Sequence, residues 1–258
     1  MRARMEADNF FVDREGHLRS GWRLAIFVVA FLICLQVTQL LLLFALSSAL
    51  HRSTVEIGQT LWGVVTGHGA ILISALLIGW ACQALLEDLP FAALGCSVHQ
   101  GWLRNLLIGS ALGAASLFLA ALLTTITRGT RFSFDPAGFK LIGETLVVSI
   151  LVFLFAAAAE EMLFRGYVLQ TLTRVNIAWL GVLLTSVPFA AAHLKNPNVV
   201  AGFTFVNTAL AGVWLAVAYL RTRSLWLLSA CTGPGTGPRL LCLVCPSVGF
   251  NAWLRLLY

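Results

Sequence analysis

The sequence is short of charge. Only 11% of its 258 residues are Asp, Glu, Lys or Arg, against roughly 25% in a soluble domain. Apolar residues make up 59% and mean hydropathy is +0.88. That balance excludes an ordinary water-soluble globule and points to lipid as the solvent. A basic patch interleaved with aromatics is also lacking. The net charge of +6 is scattered over loops, which argues against a nucleic-acid partner and suits contact with anionic lipid. Nothing reads as a secretory leader, because residues 1–22 are polar and mixed in charge and the first apolar run is too long for such a segment. Internal repeats, low-complexity linkers and room for a second folded unit are absent. The cysteines lack metal-site spacing. Cys34 and Cys82 lie in apolar runs, as small core residues do. Cys231, Cys242 and Cys245 crowd the far end without a second ligand pair, so a zinc site there is not expected.

What is present is long apolar runs. A bilayer-spanning helix takes about 20 mostly apolar residues. Residues 24–51, 57–86, 105–127, 175–194 and 196–220 contain no Asp, Glu, Lys or Arg, and 142–159 is interrupted only by Glu144. The pattern predicts an all-α polytopic transmembrane helical bundle of about six to seven spans. A tail over 1–22 precedes a membrane domain over 23–227. Arg2, Arg4, Arg14, Arg19 and Arg23 lead into the first span, which places the N-terminus in the cytoplasm by the positive-inside rule. Arg165, Arg174, Arg221 and Arg223 fall on that same side, whereas Arg128, Arg131 and Lys140 fall on the other.

One predicted helix, from about 141 to 173, carries Glu160, Glu161 and Arg165 with no Gly or Pro before Gly166. Ionisable residues inside a membrane cost from about 2.5 kcal/mol upward and are functional candidates by default. Charges at span ends are also ordinary, but Phe164, Tyr167, Val168 and Leu169 continue the apolar pattern past these. Ala156–Ala159 lie one turn earlier, and small residues let membrane helices approach closely. Glu161 and Arg165 are four apart, so on an α-helix they share a face and pair. Glu160 points about 100° away and has no such partner on its own helix. A carboxylate of that kind in a dry site has a raised pKa and serves as a general base. His193 follows Phe189 by four on another apolar segment. A lone histidine in such a segment is more often a hydrogen-bonded core residue than a catalyst. His68, between Gly67 and Gly69, reads as structural. Two carboxylates, an arginine and a histidine suit the activation of water, held by Glu160 and His193 directly or by a metal they ligate. Amide hydrolysis within the membrane is the reaction this set best fits.

The motifs resemble a known family. Glu160-Glu161-Met162-Leu163-Phe164-Arg165 is similar to the E-E-x-x-x-R motif of the CPBP intramembrane proteases. These include the type II CAAX prenyl endopeptidases and bacterial immunity-type relatives. Phe189-Ala190-Ala191-Ala192-His193 resembles their second motif, F-x-x-x-H. The stretch 205–212, ending in Tyr219-Leu220-Arg221-Thr222, looks like the helix that follows. Arg19-Ser20-Gly21-Trp22-Arg23 resembles the start of many bacterial members. The likeness covers most of 141–227. It implies catalytic groups facing a cavity, with Glu160 activating water aided by His193, and Glu161 and Arg165 completing the site. A divalent metal such as zinc would sit on Glu160 and His193. Membrane lipids and a membrane-associated or prenylated-type peptide would be the partners, and a bacterial inner membrane the location. The competing readings are a pseudo-protease that binds a peptide or membrane partner, and a small proton-relaying transporter. The latter calls for paired, symmetric broken helices, which the sequence lacks.

The family's third motif, H-x-x-x-N, is missing. No histidine follows His193 and no acid follows Glu161. Where another span is due, three Gly and two Pro fall within Gly233–Pro238, which no regular transmembrane helix tolerates. Residues 228–258 therefore read as an aberrant tail. A one-base shift of reading frame near Leu227–Ser229 accounts for it as a hypothesis. Codons for Ala230 through Thr236, read from their third bases, permit Leu-His-Trp-Ala-Trp-Asn, which restores H-x-x-x-N. Sequencing the locus across codons 220–258 and weighing the expressed protein test this. The expectation is a single-base insertion or deletion relative to close relatives, and its absence ends the idea.

Overall fold

A computed structural model of the chain describes residues 10–12, 16–95, 100–127, 152–196, 200–223 and 225. Among them the protein is all-α. The helices are α1 (Ser20–Leu50), α2 (Thr54–Gly58), α3 (Leu61–Leu86), a 3-10 helix (Phe91–Leu94), and α4 (Trp102–Ile126). Helix α5 is described over 152–161. A π-turn over Met162–Val168 continues it directly into α6 (Leu169–Arg174), and α7 (Ala178–His193) and α8 (Ala201–Thr222) follow. Among the described residues, four helices are long and apolar enough to cross a membrane: Ser20–Leu50, Trp62–Leu86, Trp102–Ile126 and Ala201–Thr222. Helix α7 is apolar but shorter. Large side chains such as Phe44, Phe118 and Phe203 face outward, each about 70% exposed, as lipid rather than water requires. Residues 142–151 of one predicted span, Glu144, Arg128, Arg131, Lys140 and the tail 228–258 lie outside the described residues.

Several predicted boundaries move for identifiable reasons. The run 57–86 is two helices. Ser53 caps α2 through a capping box, its Oγ accepting from Glu56 N at 3.2 Å while Ser53 N donates to Glu56 Oε2 at 3.1 Å. Gln59 and Thr60 then turn back onto Glu56 and Ile57 before α3 starts. Helix α4 begins at Trp102, not 105, so Arg104 lies in its first turn. The predicted loop 87–104 contains the 3-10 helix, which Gly95 ends at φ +82°, a conformation L-residues avoid. Between α6 and α7, Ile177 N donates to Leu172 O and Asn176 N to Thr173 O, with Asn176 at φ +62°. This is a Schellman turn with asparagine in the glycine position.

The helices divide into two compact units. One comprises Met1–Gln36, Ser74–Ser97 and Met162–Arg223, the other Val37–Ile73, Val98–Glu161 and Ser224–Tyr258. In the first, Phe27 stacks on Phe31 and lies 4.8 Å from Tyr167. Arg23, expected as a flanking surface charge, is buried and donates from Nε to Leu18 O. Phe10, Phe11 and Trp22 cluster at the head of α1. Helices α7 and α8 cross at Gly212, where a Cβ would stand 3.0 Å from Ser186 Cα. In the second unit, α5 buries Ala156, Ala157 and Ala159, the close packing its small residues suggest.

The α7–α8 contact gives a direct test. Gly212→Val should cost about 1–3 kcal/mol, because the added carbons meet backbone that has to move. The check is the unfolding midpoint in detergent, and an unchanged midpoint would mean the helices stand further apart.

Candidate functional site

Three of the candidate residues, Glu160, Glu161 and Arg165, lie where α5 runs into the π-turn, and His193 lies at the end of α7. π-turns are rare, and they concentrate at functional sites. Here the widened turn is Met-Leu-Phe-Arg-Gly-Tyr-Val, the second half of the first motif. The regular α-helix expected through these residues is therefore corrected. The angular relations read from a 3.6-residue period hold up to Glu161 and change beyond it. Gly166 fits the turn closely, since a Cβ there would lie 2.8 Å from Met162 Sδ.

Glu160 and Glu161 close α5 in their own unit. Glu161 is fully buried and Glu160 is half-buried. The other two candidates, Arg165 and His193, belong to the unit containing α7 and α8, which brings them together around one ring. Arg165 is fully buried. Its Nη2 donates to Gly212 O at 3.3 Å. Its guanidinium carbon stands 4.8 Å from the centre of the Phe189 ring and 5.8 Å from that of Phe164. A cation over an aromatic face is worth about 2 kcal/mol when desolvated. The backbone here is tied too, since Gln170 Nε2 reaches Leu94 O at 2.8 Å and Arg165 O at 3.3 Å.

His193 ends α7. Its Nδ1 lies 2.8 Å from Phe189 O. A carbonyl only accepts, so Nδ1 carries a proton, and of the two neutral tautomers this bond selects the one with its lone pair on Nε2. The bond alone is not diagnostic of function. His68 makes the same bond to Val64 O at 2.9 Å, in keeping with its structural reading. Pro188, inside α7, removes one backbone donor immediately before Phe189.

A second polar cluster escaped the sequence reading. Glu87, with its side chain 3% exposed, is ion-paired to Arg174. Thr171 Oγ1 donates to Glu87 Oε1 at 2.8 Å, and Arg174 Nη2 donates to Thr171 Oγ1 at 3.1 Å. Tyr167 lies beside the same carboxylate. Thr171 and Arg174 sit three apart on α6, a face-sharing spacing. Glu87 looks from sequence like the wet end of a span, and nothing in the spacing links residue 87 to residue 174. Among the described residues, no group of three or more His, Cys, Asp or Glu side chains is placed to hold a metal ion.

Comparison with known proteins locates the motifs. Residues 142–231 match the family described as type II CAAX prenyl endopeptidase Rce1-like. The resemblance read from the two motifs is borne out over that segment, which contains Glu160, Glu161, Arg165 and His193 and stops where the Gly- and Pro-rich stretch begins. An uncharacterized 24.3 kDa protein of Escherichia coli is 28% identical over 162 residues, covering 62% of this chain and 71% of its own. No solved structure matches. The long apolar helices and this match point to an integral membrane protein in which residues 142–231 are similar to that family.

The Glu87 cluster carries a test independent of any activity. Arg174→Ala strands a buried carboxylate and should destabilise the protein on the order of 3 kcal/mol. Adding Glu87→Gln should recover part of the loss, read as unfolding midpoints in detergent. Equal midpoints for all three proteins would remove the pair from the stability account.

Proposed function

From the Rce1-like segment at 142–231, we propose that this chain is an intramembrane endopeptidase of the CAAX prenyl endopeptidase type, impaired as it stands by the missing third motif. The observation that carries the reading is the presence of both motifs, in order, within that segment. Glu160 takes a proton from water, and the resulting hydroxide attacks the scissile carbonyl carbon. Glu160 then returns the proton to the leaving amine. His193 holds the water through Nε2. Glu161 and Arg165 complete the motif as the resemblance implies. A divalent metal such as zinc would take Glu160 and His193 as ligands and would supply Lewis-acid polarisation. Two protein ligands are fewer than the three of ordinary catalytic zinc, so each step here is assigned to side chains.

The substrate class is a membrane-associated peptide, of the prenylated type, approached through the lipid that the outward apolar faces contact. The location is a bacterial inner membrane with the N-terminus in the cytoplasm. Loss of a transition-state donor from the third motif lowers the rate on the order of 100- to 1000-fold. That absence also supports a second reading, a pseudo-protease that binds a peptide or membrane partner without cleaving it.

Reconstituted protein, assayed on a prenylated peptide embedded in vesicles, separates the two. A peptidase loses on the order of 100- to 10,000-fold in kcat with Glu160→Gln. If the chain as written cleaves nothing yet retains the peptide with or without Glu160→Gln, the binding reading replaces the catalytic one.

A further inference from the structure

The geometry points to Phe189 as a positioning residue for His193: its ring, in contact with both the Arg165 guanidinium and the imidazole, keeps that imidazole on the backbone carbonyl that fixes its tautomer. The catalytic meaning of this arrangement rests on the hydrolytic reading above, but the arrangement itself does not.

Phe189 is buried, 3% exposed, one turn before His193 on α7. The residue acts on the imidazole in two separable ways. Its carbonyl accepts from Nδ1 at 2.8 Å, which leaves Nε2 with the lone pair. Its ring lies 4.5 Å from the imidazole, centre to centre, tilted by 54°. The ring is itself immobilised. Phe164 meets it edge-to-face at 5.4 Å and 84°, and the Arg165 guanidinium stands 4.8 Å from its centre. Phe164 and Arg165 are consecutive on the π-turn, so one rigid stretch of backbone braces the ring that braces the histidine.

The chain contains its own control. His68 makes the same Nδ1 bond, to Val64 O, but the residue four positions earlier is valine and has no ring to offer. Substitution at 189 leaves the backbone carbonyl in place and removes only the ring. The two contributions therefore come apart cleanly, and His68 should not respond. A half-buried imidazole released from such a contact exchanges its local bond for water and redistributes its proton between the two nitrogens. Loss of an aromatic contact of this kind corresponds to a change on the order of 2- to 10-fold in the conformer ratio.

The test is nitrogen-15 NMR of the full chain, labelled at histidine and reconstituted in lipid, with signals assigned by single His→Gln variants. The pH is held where the rings are neutral. Wild-type His193 is expected as the Nδ1–H tautomer. Phe189→Leu should move it toward a mixture, by 2- to 10-fold, while Phe189→Tyr stays near wild type and His68 is constant throughout. An unchanged His193 signal in Phe189→Leu overturns the proposal, since the carbonyl alone would then suffice. Should His68 shift as well, folding has been disturbed and Phe189→Met, a softer apolar replacement, decides by the same criterion. A wild-type chain that shows the expected tautomer but hydrolyses nothing leaves this role intact and sinks only the peptidase reading.

Discussion

A permanent positive charge with no access to water is the constraint around which the α6–α8 unit is organised. The Arg165 guanidinium offers donors and no acceptor, and its side chain is fully enclosed. A guanidinium in that position is tolerable only where its surroundings offer electron density. The unit supplies a carbonyl from α8 and the faces of two phenylalanines. The carbonyl comes from a residue without a side chain, Gly212, at a place where α7 and α8 approach closely. Helix crossing, aromatic cluster and charge are thus one arrangement seen from three sides.

Much of the fold could be read from the sequence because lipid imposes a coarse rule. Length and apolarity alone set the long spans, and the boundaries shifted by only a few residues where a capping box at Ser53 or a glycine at 95 or 101 intervened. The candidate residues were legible as a set, since carboxylates, arginine and histidine stand out against an apolar background. Their geometry was not. Whether a helix widens by one residue depends on what its side chains find across the packing interface, and no periodicity in Met162–Val168 announces it. The Glu87–Arg174 pair was hidden for a related reason. Two charges at span ends look ordinary one at a time, and only the return of the chain makes them neighbours.

Phe189 shows how a motif can mislead by its emphasis. In F-x-x-x-H the histidine draws attention as the chemically able member, and the phenylalanine reads as filler on the same face. The structure gives the aromatic residue contacts to both Arg165 and His193. The spacing of four then has a simple cause. It is the separation at which a backbone carbonyl and its own side chain can both reach one imidazole on a helix.

The π-turn has a consequence for how this region can change. An α-helix tolerates substitution more readily than changes in count, because each residue advances the rotation by a fixed step. A π-turn already holds one residue in excess. Deleting a residue there would improve the local hydrogen bonding by returning the turn to α geometry, and would at the same moment swing Arg165 away from the ring that receives it. Local stability and the placement of Arg165 are therefore opposed within seven residues. A chain that drifts toward the more comfortable helix would keep its fold and lose this arrangement, so the length of the segment records the arrangement more sensitively than its composition does.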